Sequence, residues 1–222
     1  SNDYGNNCWQ SVFWNNHDNP KMVSKITAHQ GNNEYHESVQ KLLAVLQFTS
    51  KGTPFVFQGD EMGIANYDFK SMDEITDVEA KGHFKELLKT KSPEEAFRMI
   101  KAGTREHARI LLPWNENSKN PLVKQQTINE NLQAFYKMMI KMRHEHKTLV
   151  YGDLKVLDKK NYRFVYERCG ETKDDETFLV DCNLGLAPKK AYKVPENYEL
   201  VLTTRDEGKI LSSYEARIYR KK

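Results

Sequence analysis

The densest chemistry in this chain is Asn15-Asn16-His17-Asp18. A carboxylate beside an imidazole suits a ligand rich in hydroxyl groups, because the Asp accepts from hydroxyls and the His donates or accepts. The cluster follows a β-favouring run, Ser11-Val12-Phe13-Trp14, and Pro20 stiffens its exit. On the residues alone, a binding site and an Asx-rich strand-to-helix turn describe the stretch equally well. A second cluster, Gln58-Gly59-Asp60-Glu61, ends another strand signal, Thr53-Pro54-Phe55-Val56-Phe57. Paired carboxylates can serve as acid and base, but adjacent acids in such a place more often anchor loop amides or a cation, and that structural role is expected here. Arg105 and Arg109 flank His107 ahead of Pro113-Trp114. Spaced by four, they would share a face, either toward a substrate or as a surface pair with Glu106.

Other chemistries find no support. The chain has no G-x-S-x-G nucleophile turn, no Gly-rich phosphate loop and no H-E-x-x-H. His144-Glu145-His146 has i, i+2 spacing, which does not share a helical face. Cys8, Cys169 and Cys182 are odd in number and lack C-x-x-C spacing, so reduced thiols are expected rather than a disulfide framework or a zinc site. Cys182 reads as a small hydrophobe in a strand, and Met138, Met139 and Met142 read as core filler. No metal and no cofactor is expected.

The elements that must position these residues begin with a helix over Glu34–Ser50. Val39, Leu42, Leu43 and Leu46 follow the i, i+3, i+4, i+7 pattern, with Asn32 or Asn33 as cap and Gly52 past the end. Strand, helix and strand make a βαβ unit with parallel strands, whose carboxyl ends carry ligand sites in such sheets. Both polar clusters lie at those ends. Residues 62–120 form a long excursion, of the kind usually functional or disordered. In it, Ser92-Pro93-Glu94-Glu95 opens a helix to about Ala102, and Asn115–Pro121 has turn chemistry. Thr127-Ile128-Asn129-Glu130 opens the strongest helix, with Leu132, Phe135, Tyr136, Met139 and Ile140 on one face. After about Thr148 the period switches to 2. Tyr162, Phe164 and Tyr166 alternate with Arg163, Val165 and Glu167, and Phe178, Val180 and Cys182 repeat the pattern. Leu200–Leu202 and Tyr214–Ile218 are further strands of a small antiparallel sheet or sandwich.

Composition bounds the whole. The 222 residues carry 34 basic and 31 acidic side chains, a net charge of +3, and only 38% are hydrophobic. A basic excess this small and dispersed does not point to nucleic acid. No apolar run approaches the roughly 18 residues of a membrane span, and residues 1–7 show no secretory apolar region. Aromatic residues at 11% are too many for a disordered chain. Globular domains usually run to about 45–50% apolar, so the chain is short of core material for its length.

The segment Val12–Lys21, Val-Phe-Trp-Asn-Asn-His-Asp-Asn-Pro-Lys, resembles the motif around the third catalytic carboxylate of the alpha-amylase family. Gly52–Gly63 resembles that family's eighth-strand motif, and Asn66–Phe69 with Thr76–Glu79 continues the pattern of its oligo-1,6-glucosidase branch, which includes dextran glucosidases and trehalose-6-phosphate hydrolases. The resemblance covers essentially the whole chain and is weakest after about Leu149.

The resemblance implies a mixed α and β fold. Residues 1–148 would be the C-terminal part of a (β/α)8 TIM barrel, its last two strand–helix units, and residues 149–222 a small all-β domain. It implies retaining hydrolysis of α-glucosyl bonds, chiefly α-1,6, in short oligosaccharides, with a phospho-disaccharide hydrolase or a non-catalytic sugar-binding domain as alternatives. Asp18 would be the transition-state stabiliser, and His17, Asn16 and Arg109 would bind substrate. The nucleophile and acid/base belong to the fourth and fifth strands, so this stretch alone is expected to be inactive. An oligosaccharide is the expected partner, with no nucleic acid and no membrane, and a cytoplasmic location. Two strands cannot close a barrel, so self-association is a further expectation. The sequence departs from the branch at Lys21 (usually Arg), at Thr76 (Arg) and at Ile110–Trp114 (Thr-Pro-Met-Gln-Trp).

Overall fold

A computed structural model describes residues 8–28, 34–114, 128–172 and 175–222. The chain forms two compact units interleaved in sequence: Ser1–Phe13, Asn32–Phe55 and Glu130–Lys222 in the first, Trp14–Gly31 and Val56–Asn129 in the second.

The first unit contains the expected parallel pair, β1 (Ser11–Val12) and β2 (Thr53–Pro54), in register Ser11↔Thr53. Both strands are shorter than the apolar runs that announced them. Gln47 Nε2 donates to Phe55 O at 2.6 Å, which gives the backbone at the end of β2 a side-chain partner. Gly52 has φ +130, and a Cβ there would stand 2.3 Å from Gln10 O, so only glycine lets the chain turn back against β1. The intervening helix α2 (His36–Thr49) buries Val39, Leu42, Leu43 and Leu46 as its period predicts. It also buries Ala44, Val45, Gln47, Phe48 and Thr49, so its last turns are enclosed on all sides rather than along one stripe. Caps by Asn32 or Asn33 lie outside the described residues.

The strong helix is α5 (Glu130–Glu145), which packs on α2 with Phe48 and Tyr136 edge to face at 5.7 Å. It buries Leu132, Phe135, Tyr136 and Met139. Ile140 and Met138, expected inside, are exposed. The stripe is narrower than the count of apolar residues suggested, and Arg143 takes the buried position one turn further on. The Thr127 cap and the Asn115–Pro121 turn lie outside the described residues.

After the short α6 (Lys147–Tyr151) comes a five-stranded antiparallel sheet. Its strands are β3 (Asp153–Asp158), β4 (Arg163–Cys169), β5 (Thr177–Asn183), β7 (Tyr198–Thr203) and β9 (Ala216–Lys221), in spatial order 3-4-5-9-7. A two-stranded pair, β6 (Lys189–Lys190) with β8 (Ile210–Leu211), accompanies it. The predicted alternation in β4 fails as an inside–outside rule. Val165 and Tyr166 are both buried, because the strand is covered on both faces. Tyr162 precedes the strand in a left-handed conformation and is exposed. Cys182 is buried, as expected of a small hydrophobe, and no cysteine is in a disulfide.

The second unit holds α1 (Met22–Thr27), α3 (Val78–Leu87), α4 (Pro93–Gly103) and a 3-10 turn over Arg105–Ala108. Ser92 Oγ accepts from Glu95 N at 3.2 Å and Pro93 occupies the first turn, so the predicted start of α4 holds. Helix α3 has no counterpart in the sequence reading. Asp77 caps it through Ala80 N at 3.0 Å. Tyr67, Phe69, Ile75, Ala80, Ile100 and Ile110 form this unit's core.

Candidate functional site

Asn16, His17 and Asp18 lie in the segment that follows β1, whereas Arg109 lies far beyond β2 in the chain. Asn15 is turned inward: its Nδ2 donates to Asp60 Oδ1 at 2.8 Å and its Oδ1 accepts from Met22 N at 2.6 Å. Asn16 closes an Asx turn, its Oδ1 accepting from Asp18 N and from Asn19 Nδ2, both at 2.9 Å. His17 and Asp18 are left pointing outward, with Nε2 and Oδ2 3.1 Å apart. The Asx-turn description of this stretch holds. The asparagines build the turn, and the turn presents the imidazole and the carboxylate.

Two arginines converge on the same carboxylate. Arg109 donates from Nη2 to Asp18 Oδ1 at 3.0 Å and from Nε to His17 O at 3.0 Å. Its Nη1 reaches Asp77 Oδ1 at 3.4 Å. Arg105 donates from Nε to Asp77 Oδ1 at 2.8 Å, and its Nη1 lies 3.1 Å from Glu79 and 3.6 Å from Asp18. The i, i+4 spacing does put both guanidiniums on one face. Glu106 is not their partner: its carboxylate accepts from Thr76 Oγ1 at 2.7 Å and Asp77 N at 3.0 Å.

Asp77 and Glu79 are neighbours in the candidate site to which the sequence reading gave no role beyond their place in the Thr76–Glu79 pattern. The available signal was a helix cap, Asp followed by three helix-compatible residues. Burial raises the pKa of Asp77, but the Ala80 N–H and the guanidiniums of Arg105 and Arg109 outweigh it and hold this carboxyl below the usual range. A cavity of about 390 Å³ opens beside this network, lined among others by Asp18, Asp77, Glu79, His83, Met99 and Arg105. It is large enough for a small polar ligand.

His107 serves the scaffold. It is buried, Nδ1 accepts from Tyr67 N at 3.1 Å, and Nε2 faces Lys101 O at 2.6 Å. A neutral ring protonated at Nε2 satisfies both contacts, and burial pushes its pKa down in agreement. Asp60 is also structural, as expected of the Gln58–Glu61 cluster. It accepts from Asn15 and from Phe57 N at 3.2 Å, and burial raises its pKa to about 6. Gly59 has φ +88 in that turn, and a Cβ would meet Ile64 at 2.9 Å. Among the described residues, no group of three or more His, Cys, Asp and Glu is placed to hold a metal ion, and no helix is long and apolar enough to cross a membrane.

The structure thus places an exposed imidazole and carboxylate after the first strand of a parallel pair, in a fold of mixed helices and sheet. The family described as "Alpha amylase, catalytic domain" matches residues 1–152, and the chain belongs to the alpha-amylase family. The glucan 1,6-alpha-glucosidase of Streptococcus pneumoniae serotype 4 is 33% identical over 196 residues, covering 79% of this chain and 35% of that protein. The oligo-1,6-glucosidase of Halalkalibacterium halodurans is also 33% identical, covering 79% of this chain and 34% of its own length. Among solved structures, the trehalulose synthase MutB of Pseudomonas mesoacidophila MX-45 superposes with a TM-score of 0.78 at 27% identity. It covers 100% of this chain and 44% of that one. The isomaltulose synthase PalI of Klebsiella sp. LX3 gives 0.75 at 27% identity, covering 96% and 43%. The chain thus spans about a third of the length of the curated relatives it matches.

Proposed function

We propose that this stretch belongs to a retaining α-glucosidase that hydrolyses terminal α-glucosyl bonds, α-1,6 foremost, in short oligosaccharides. In this reading residues 1–148 are the last two strand–helix units of its (β/α)8 barrel and residues 149–222 its C-terminal β-domain. The observation that carries the reading is the outward pair His17–Asp18, 3.1 Å apart, in a turn whose Asn15 side chain and Asn16 Oδ1 are used internally. Asp18 accepts from the hydroxyls of the sugar being cleaved, His17 bonds the same ring, and Arg109 orients both through Asp18 and the His17 carbonyl. Such contacts favour reaction because they tighten as positive charge develops on the sugar ring. Asn16 contributes by setting the backbone of Asp18.

The nucleophile and the acid/base come from residues outside this stretch, so the isolated 222 residues turn over no substrate. Isolated, they also self-associate, consistent with Trp9, Phe13 and Phe55 standing exposed on the first unit. A strictly monomeric light-scattering profile at high concentration overturns that part.

The test of the main reading is hydrolysis of a chromogenic α-glucoside and of isomaltose by the protein encoded by the whole reading frame. Asp18→Asn is expected to lower kcat at least about a hundredfold, with KM changed far less. Unchanged turnover in that variant sinks the role assigned to Asp18. Preference for trehalose 6-phosphate over isomaltose would make the phosphorylated disaccharide, not an α-1,6 oligosaccharide, the substrate.

A further inference from the structure

Lys21 is an ammonium with almost no access to water, at 2% exposure. Its Nζ donates to Gln58 O at 3.1 Å, lies 3.8 Å from Asp60 Oδ1, and sits 4.5 Å above the centre of the Phe57 ring. Its backbone N–H donates to Asn66 Oδ1 at 2.8 Å, and Asn66 N donates in turn to Ser24 Oγ at 2.9 Å. At the other end of the same loop, Asn15 bridges Asp60 and Met22 N. The loop from Asn15 to Lys21 is therefore fastened at both ends to the segment Phe57–Asn66. Asp18 sits midway between the two fastenings.

Filling this space needs no charge. Burying an ammonium and a carboxylate is costly, and an aliphatic pair of the same volume would pack at least as well. What the charges add is direction: Nζ and the Asp60 oxygens fix where the two segments meet. Lysine does this through a single point charge rather than a planar fork, so the fastening depends on one atom. Burial disfavours the charged form of both partners. It lowers the pKa of Lys21 and raises that of Asp60 to about 6.

We propose that Lys21, Asp60 and Asn15 form a clasp that positions Asp18, making Lys21 and Asp60 positioning residues for the sugar-binding carboxylate. The proposal rests on the role of Asp18 as that carboxylate. It goes beyond that role by assigning work to a buried pair that touches no substrate. Asp18 acts on a charge that develops over fractions of an ångström. Loosening the clasp therefore affects turnover more than ground-state binding.

The experiment compares Lys21→Met, Lys21→Arg and Asp60→Asn with the parent, in the protein encoded by the whole reading frame. Each is measured for kcat, KM, melting temperature and amide hydrogen exchange across residues 15–22. Lys21→Met and Asp60→Asn are expected to lower kcat by about ten- to a hundredfold with KM within about threefold. The Met22 amide, held by Asn15, is expected to exchange faster. Lys21→Arg is expected to restore most of the turnover, which a mere loss of packing would not. Asp60→Asn keeps the shape of the site, so it carries the test if Lys21→Met does not fold. Unchanged exchange and unchanged kcat in Asp60→Asn overturn the clasp. If the parent cleaves no α-glucoside but exchange at residues 15–22 rises in the variants, the clasp stands and the glucosidase reading falls.

Discussion

Two pairs of arginines in this molecule do opposite things with the same chemistry. In the second unit, Arg105 and Arg109 are about one-third exposed and pair with the carboxylates of Asp18, Asp77 and Glu79. In the first unit, Arg143 and Arg168 are buried, and every hydrogen bond described for them ends on a backbone carbonyl. Arg143 holds Phe48 O, Ser50 O, Leu149 O and Gly52 O, and Arg168 holds Thr49 O, Leu149 O, Val150 O and Gly152 O. These oxygens belong to the C-terminal ends of α2 and α6 and the residues just beyond them. There the helix has unpaired carbonyls and a negative dipole end. The guanidiniums are cations capping two helix ends at once. Burial lowers the pKa of Arg168 to about 10, which leaves it charged at neutral pH. A guanidinium turned to carboxylates near water can exchange partners for a ligand. One locked to carbonyls in the interior cannot do so without unfolding its surroundings.

Arg143→Ala should show the contrast most sharply. It takes the guanidinium from Phe48 O, Ser50 O and Gly52 O, while Leu149 O keeps Arg168, so a loss of about 3–5 kcal/mol is expected in denaturant unfolding. A loss under about 1 kcal/mol would mean water repairs the site. Lysine cannot reproduce the fork, and Arg143→Lys should recover little of the loss.

Asp60 comes next. Its folded pKa of about 6 lies above the ordinary 3.8, so the stability linked to it is fully present below about pH 4 and lost as pH rises through 6. Relative to Asp60→Asn, the parent should lose about 2 kcal/mol between pH 4 and pH 7. Parallel stability curves for the two would contradict this. A smaller effect belongs to the hydroxyl pair beside Arg168, where Thr49 Oγ1 and Tyr166 Oη stand 2.5 Å apart in the interior. Thr49→Val should cost about 1–2 kcal/mol by the same measurement. Smallest is Arg105→Gln, whose solvent-screened ion pairs should change stability by less than about 1 kcal/mol. A larger loss there would erase the distinction between the two arginine pairs.

Much of the fold was legible where a local rule had no competitor. The stripe Val39, Leu42, Leu43 and Leu46 announced α2, and Ser92-Pro93 announced α4. Helix α3 was missed because it buries only Ala80, leaving almost no apolar period to see, and because its cap, Asp77, looked like an ordinary acid. Ile140 was assigned to the core because periodicity counts apolar residues without knowing how wide a face the neighbouring helix covers. Within the site, His17 and Asp18 stood out because their types carry the chemistry. Asp77 and Glu79 did not, because what makes them part of the site is the position of Arg105, 26 residues after Glu79 in the sequence.

By itself, the sequence determined the βαβ beginning, the antiparallel end, the adjacent imidazole and carboxylate of His17–Asp18 and the family whose motifs surround them. These follow from residue type and short-range period, which the chain carries locally. Tertiary structure decided what each polar residue is for. Asn15 and Asn16 became turn builders, Asp60 and Lys21 a buried pair, and four arginines split between carboxylates and carbonyls. The physical reason is that the worth of a charge depends on its dielectric surroundings and its partners. Both are set by segments that meet only when the chain has folded.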